Sequence, residues 1–178
     1  MSNPSRVSIQ TEDFDLSEEV AALRAHDAGV GAVCSFVGTV RERNAASPAS
    51  ADAVSMGSES PQSEQVLTME LEHYPGMTER AIEAMIDAAF ARFDIIAARV
   101  VHRVGRLLPL DQIVLVAVTS KHRGQSFAAC EFLMDYLKTQ APFWKKEQTP
   151  QGARWVDARV SDDAALARWG ITANNALS

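Results

Sequence analysis

The sequence predicts an α+β fold, and three observations carry the prediction. Ile113 to Val118 is an unbroken apolar run, the pattern of a central strand buried on both faces. Ile82, Met85, Ile86, Ala89, Phe90 and Phe93 recur at i, i+3, i+4, i+7, i+8 and i+11, one face of a helix. Around these lie short segments of strict apolar–polar alternation, in an order that does not follow a repeating strand–helix–strand unit. Helices interspersed among mostly antiparallel strands are the expectation.

Taken in order, Arg6 to Gln10 reads as a short strand. Asp15 can cap a helix from Leu16 to about His26, with Glu18 three residues on and Gly29 just past its end. Gly31 to Val40 is apolar and β-rich and reads as a buried strand through Val33, Phe36, Val37 and Val40. Asn44 to Gln65 then holds six Ser, five Ala, two Pro and no aromatic residue. Such a stretch buries too little surface to offset its ordering entropy, so it reads as a flexible inserted surface loop. Leu67, Met69 and Leu71 alternate with polar neighbours as a half-buried strand does. Pro75-Gly76 turns the chain, and Thr78 is placed to cap the helix that follows.

Arg99 to Val104 alternates again, and Pro109 to Gln112 turns into the central strand. After Thr119 to Gly124 a helix is expected from about Gln125 to Gln140, burying Phe127, Cys130, Leu133, Met134, Leu137 and Ala141. Pro142 ends it. Phe143 to Gln148 and Ala153 to Asp157 form a hairpin around Thr149 to Gly152. Residues 1–160 therefore make one domain, and 161–178 a tail with a short helix ending near Trp169.

A chain of 178 residues, 47% hydrophobic and 22% charged, suits one soluble domain with a real core. Its net charge of −6 argues against a general nucleic-acid or anionic-membrane binder. Cys34 and Cys130 form no CxxC pair, and no apolar run approaches the roughly 18 residues of a membrane span. A reducing, cytoplasmic location is expected, with no membrane and no nucleic-acid partner.

The positive charge is unevenly distributed. All four lysines, Lys121, Lys138, Lys145 and Lys146, fall within one segment, whereas thirteen arginines are spread through the chain. An Arg stays protonated, whereas a Lys desolvated beside other cations can lose its proton and act as base or nucleophile. His122 and Arg123 sit in the same segment, where a strand passes into a helix and an anion is readily received. Lys138 follows at roughly 20 Å along that helix, at 1.5 Å per residue. It cannot meet His122 and Arg123 through helix geometry. Either the hairpin folds Lys145 back beside one cluster, or the pocket forms between subunits. On the hairpin Lys145 shares a strand face with Phe143 and Glu147, and Trp144 and Lys146 point the other way. The same pattern also reads as a solvated basic face, with Glu131 and Asp135 pairing Lys138 along the helix.

Other candidates are weaker. His26, His73, His102 and His122 show no ligand spacing, so no metal site is expected. Cys34 and Cys130 read as small core residues. Arg41, after the Gly31–Val40 strand, suits a surface charge or an anion ligand equally. A module using the basic stripe with Phe143 and Trp144 to stack on nucleic acid is opposed by the acidic total.

Five stretches, FVGTVR from Phe36, LEHYPGMT from Leu71, HRVG from His102, TSKHR from Thr119 and MDYLKTQAPFWKKE from Met134, occur in one order. Together they resemble the catalytic (large) subunit of molybdopterin synthase, over about Gly31 to Asp157. The resemblance implies an α/β hammerhead with an additional antiparallel β subdomain. It implies a homodimer, and a heterotetramer once each large subunit binds one small ubiquitin-like carrier with a C-terminal Gly-Gly thiocarboxylate. It implies transfer of two sulfurs to cyclic pyranopterin monophosphate, giving the dithiolene of molybdopterin in molybdenum cofactor biosynthesis. No cofactor is implied.

By the same resemblance Lys138 and Lys145 are the catalytic lysines. Two ammonium groups held close lower each other's pKa from about 10.4, so one could serve as base or nucleophile while the other stabilises an oxyanion. His122, Arg123 and Arg41 match substrate-binding positions, with Thr39, Val40, Lys146 and Glu147 as further pocket positions. Phe36 and Met134 would wall the channel for the carrier's tail. Many relatives carry a basic residue where Thr39 stands, and the insert after Asn44 is longer than the family leads one to expect. The competing reading is a binding partner of the carrier that lacks the chemistry.

Overall fold

The computed structural model describes residues 5–25, 27–44, 64–156 and 167–171. The larger of its sheets holds β1 (Val7–Gln10), β6 (Ile95–Arg103), β8 (Gln112–Ser120) and β2 (Ala32–Thr39), in that spatial order. β1 runs parallel to β6, whereas β8 is antiparallel to both β6 and β2. The apolar run thus occupies the position its pattern requires. Val114, Val116 and Val118 pack beneath α2 (Met77–Arg92) and α3 (Arg123–Gln140). Leu115 and Ala117 face Phe14 and the apolar side of α1 (Leu16–Arg24). Asp15 caps α1, accepting from the Ser17 and Glu18 amides at 2.7 and 3.0 Å.

A smaller antiparallel sheet is ordered β10 (Gly152–Val156), β9 (Phe143–Thr149), β5 (Thr68–His73), β7 (Gly105–Leu107). Val40, immediately after β2, is buried with Met69, Leu71 and Leu107, so the end of β2 is seated on the inner face of this second sheet. The feet of the Ser/Ala-rich insert pair as β3 (Arg43–Asn44) and β4 (Glu64–Gln65). Residues 45–63, the body of the expected flexible loop, lie outside the described residues. So do 161–166 and 172–178 of the expected tail; Ala167 to Gly170 forms a turn, and Trp169 packs edge-on against Phe93 and Phe132.

Several expectations need correction. β2 is the edge strand of its sheet, with Ser35, Phe36 and Thr39 exposed, rather than a buried one. Composition reads its hydrophobicity but not the missing neighbour on one side. Thr78 does not cap α2. The cap is Gly76, whose φ of +78° favours glycine, and Glu79 accepts from its amide at 2.6 Å. Thr78 is instead buried, accepting from the Tyr74 amide and donating to the Pro142 carbonyl, both at 3.1 Å. α3 starts at Arg123, and Phe127 is 60% exposed while Phe132 is fully buried. The buried arc is centred on Ser126, Ala129, Cys130, Leu133 and Leu137, which leaves Phe127 past its edge.

Candidate functional site

The corner where α3 passes into β9 collects most of the residues singled out in the sequence. Lys138 stands exposed in the last turn of α3. Glu131 and Asp135, its possible helix partners, are engaged by Arg168 at 3.1 and 2.8 Å, and Trp169 Nε1 also donates to Asp135 at 2.8 Å. Among the described residues no carboxylate pairs with Lys138.

Past Pro142 the chain becomes a strand and its alternation sorts the side chains. Lys145 and Glu147 lie opposite Leu71 and Met69 of β5, on the face that receives Val40. Glu147 is fully buried, an expensive position for a carboxylate unless it is paired. Lys145 Nζ lies 2.7 Å from its Oε1, and Arg154 Nη2, from the opposite register position on β10, 3.5 Å from its Oε2. Thr39 and Arg41 flank Val40 and are exposed beside this face.

On the other face of β9, Trp144 meets Tyr74 edge-on at 4.3 Å, and Lys146 Nζ lies 5.5 Å from the centroid of Trp155. β9 therefore does not direct Lys145 and Lys146 to one side. Phe143 stacks on His102 at 3.8 Å and 16°, tying the hairpin to the larger sheet. Burial, first, and the nearby His73 hold His102 down at about 4, while its contact with the Arg103 carbonyl opposes them, so the ring is neutral at pH 7.

His122 and Arg123 sit at the other end of α3, His122 as its N-cap and Arg123 as its first residue, both exposed. Ser120 Oγ donates to the His122 carbonyl at 2.8 Å, and the Gly31 amide to the Ser120 carbonyl at 3.0 Å. A Cβ on Gly31 would come within 2.3 Å of the Lys121 carbonyl, so this close approach needs glycine. Registration fixes the separation. Ala32 pairs with Ser120, and Thr39, at the far end of β2, with Gln112. The lysine corner adjoins the Thr39 end and His122 the Ala32 end, so the hairpin does not fold Lys145 back to His122. Phe36, 40% exposed, lies between these ends on β2, and Met134, buried, one helical turn before Lys138.

Cys34 and Cys130, remote in sequence, are neighbours. Burial, and then Cys34, push the Cys130 thiol up to about 12, and it packs as a small apolar group. Two surface cavities, about 240 and 370 Å³, share Glu19, Ala22 and Arg99 near α1, and none of the singled-out residues lines them. Among the described residues no three His, Cys, Asp or Glu side chains cluster as a metal would require. Nor is any described helix long and apolar enough to cross a membrane.

The burial of Glu147 and the part of Arg154 are absent from the sequence-based reading. A signal for Arg154 exists in the hairpin: pairing Thr149 with Gly152 sets Arg154 opposite Glu147.

Comparison with known proteins places the chain among relatives of one family. A family model described as MoaE protein matches residues 9–140. A molybdopterin synthase catalytic subunit from Ralstonia nicotianae is 59% identical over 96% of this chain and 87% of its own length. One from Vibrio cholerae is 48% identical over 92% of this chain and 97% of its own. The solved structure of a molybdopterin biosynthesis MoaE protein from Burkholderia ambifaria matches with a TM-score of 0.74 and 56% identity. It covers 94% of this chain and 99% of that one.

Proposed function

The chain belongs to the MoaE protein family, and from that premise we infer how its basic residues divide the work. It is the catalytic subunit of a molybdopterin synthase, a sulfurtransferase of molybdenum cofactor biosynthesis. The sulfur donor is the C-terminal thiocarboxylate of a small ubiquitin-like partner subunit, and the acceptor is cyclic pyranopterin monophosphate. The reaction takes place in the cytoplasm.

The observation that carries the assignment of roles is the contrast between the two lysines of the α3–β9 corner. Lys145 is held by a buried carboxylate at 2.7 Å, and Lys138, seven residues before it in the motif, has no carboxylate partner among the described residues. In transfer, the thiocarboxylate sulfur displaces an oxygen substituent from the substrate side chain, that oxygen leaving with a proton, and the carbon–sulfur bond to the carrier must then break. Attack by water on that acyl carbon leaves the sulfur on the substrate as a thiolate and releases the carrier as a carboxylate; with Lys138 as the attacking group the carrier is first held as an amide, which water then cleaves. Lys138 is the group available as base or nucleophile for the attack. Lys145, oriented by Glu147, is the ammonium that stabilises the oxyanion.

Arg41 and Thr39, beside the same face, reach the substrate from the end of β2. Phe36 and Met134 guide the carrier's tail toward Lys138. His122 and Arg123 suit the cyclic phosphate, since Arg can grip a phosphate bidentately and a helix N-terminus favours an anion. Their distance from Lys138 supports a homodimer in which one protomer contributes the lysines and its partner the phosphate site. With two carriers bound, the assembly is a heterotetramer. Lys146 faces away from Lys145 on its own strand, which also suits a contribution across the dimer.

Reconstitution with thiocarboxylated carrier and cyclic pyranopterin monophosphate tests the reading. The wild-type protein forms dithiolene, and Lys138→Ala loses about 10³-fold in rate, as removal of an acid–base group does. Carrier binding without turnover by the wild type would make this a non-catalytic partner, and full activity of Lys138→Ala would remove the mechanism.

A further inference from the structure

We propose that Arg154 is a positioning residue for Lys145, acting through Glu147; the proposal rests on the role of Lys145 given above. Glu147 has no solvent exposure, so its carboxylate meets substrate only by way of the groups that pair with it. Each oxygen has its own cation: Oε1 faces Lys145 at 2.7 Å and Oε2 faces Arg154 at 3.5 Å. A carboxylate held at one oxygen can still rotate about its last bond, and a second hold fixes its plane. Arg154 supplies a hold on the second oxygen.

The geometry is strand-built and therefore rigid. Lys145 and Glu147 are two apart on β9, which places them on one face, and Arg154 is the direct partner of Glu147 across the β9–β10 ladder. The register is set by the turn, where Thr149 Oγ1 donates to the Gly152 carbonyl at 3.0 Å. The lysine side chain has four rotatable bonds and loses much freedom when fixed. A backbone strand alone aims only its first carbon. Glu147 aims the ammonium, and Arg154 aims Glu147. The longer Arg154 contact makes it the weaker member, so its removal costs less than that of Glu147.

The test uses the full chain with thiocarboxylated carrier and cyclic pyranopterin monophosphate. Glu147→Gln lowers kcat about 100-fold and Arg154→Met about tenfold, the range expected when a reacting group is misplaced by an ångström or less. Carrier KM stays within about twofold of wild type, and Arg154→Lys recovers most of the rate because it restores a cation. In a Lys145→Ala background Arg154→Met costs nothing further, since residues acting in one chain are not additive. Wild-type kcat in Arg154→Met, or the same fractional loss with and without Lys145, overturns the proposal.

A readout independent of turnover separates this from the functional reading itself. With four lysines in the chain, the side-chain ammonium resonances are few enough to assign. Arg154→Met frees the restrained Lys145 ammonium and leaves Lys138 unchanged. Equal restraint of Lys145 in both proteins overturns the relay, whatever the activity of the wild type.

Discussion

At its C-terminal end α3 delivers the chain straight into β9, and the cation there, Lys145, is held by a buried Glu147 within a four-stranded sheet. At its N-terminal end His122 and Arg123 stand exposed, steadied through the backbone by Ser120 and the close approach of Gly31. Both ends are basic, and the proposed function gives them different tasks. A group that must meet a reacting atom needs its direction fixed, and strands with a paired counter-ion provide that. An anion that only needs to be held is served by exposed donors at a helix start. The comparison teaches that the chain carries two basic groups at opposite ends of the same helix, which under the proposed function are two half-sites.

Substitutions at the two ends sharpen the comparison by affecting different kinetic constants. The largest loss is expected at the lysine corner, where Lys138→Ala costs about 10³-fold in kcat and Lys145→Ala about 10²-fold, with carrier binding retained. Steady-state rates at saturating carrier measure both. At the other end Arg123→Ala removes a charged hold on phosphate, raising the KM for the pterin about tenfold or more with a smaller change in kcat. A pure kcat effect from Arg123, or a pure KM effect from Lys138, would break the division.

Acid separates the ends by stability. His102 stacks on Phe143 at the lysine corner and is held at about 4, against an ordinary 6.5. Between those pH values the unfolded chain binds the proton and the folded one does not. Stability is therefore retained above 6.5 and falls as pH drops toward 4, by up to about 3 kcal/mol. Urea unfolding of wild type and His102→Phe at pH 7 and pH 4.5 measures this; the variant keeps an aromatic ring against Phe143 and should lose most of the slope. An unchanged slope would assign the acid sensitivity elsewhere.

The sequence makes some of this legible and not the rest, for physical reasons. β8 is readable because a strand buried on both faces has no polar alternation to confuse it. The hairpin is readable from its turn residues, and strand alternation places Lys145 and Glu147 on one face. Helix rise alone separates His122 from Lys138, and the β2–β8 register adds that the hairpin does not close the gap. β2 misleads because its composition suits a core strand, and edge position depends on which strand is missing beside it. Thr78 misleads because a capping residue type was available two positions after the glycine that makes the turn. The burial of Glu147 needs Val40, Met69 and Leu107 to arrive from three other segments, which no local pattern reports.

The central claim, that the two half-sites complete one another across a dimer, is tested most directly by complementation. Arg123→Ala and Lys138→Ala chains are unfolded together in equal amounts, refolded and assayed with thiocarboxylated carrier at cyclic pyranopterin monophosphate concentrations far below KM, where each variant alone is reduced about tenfold or more. Random pairing makes half of the dimers mixed, and each mixed dimer has one site with both groups intact. The mixture should recover about a quarter of wild-type activity, as two-fold symmetry requires. Activity no higher than that of the separate variants, with mixed dimers verified by mass, would contradict the account.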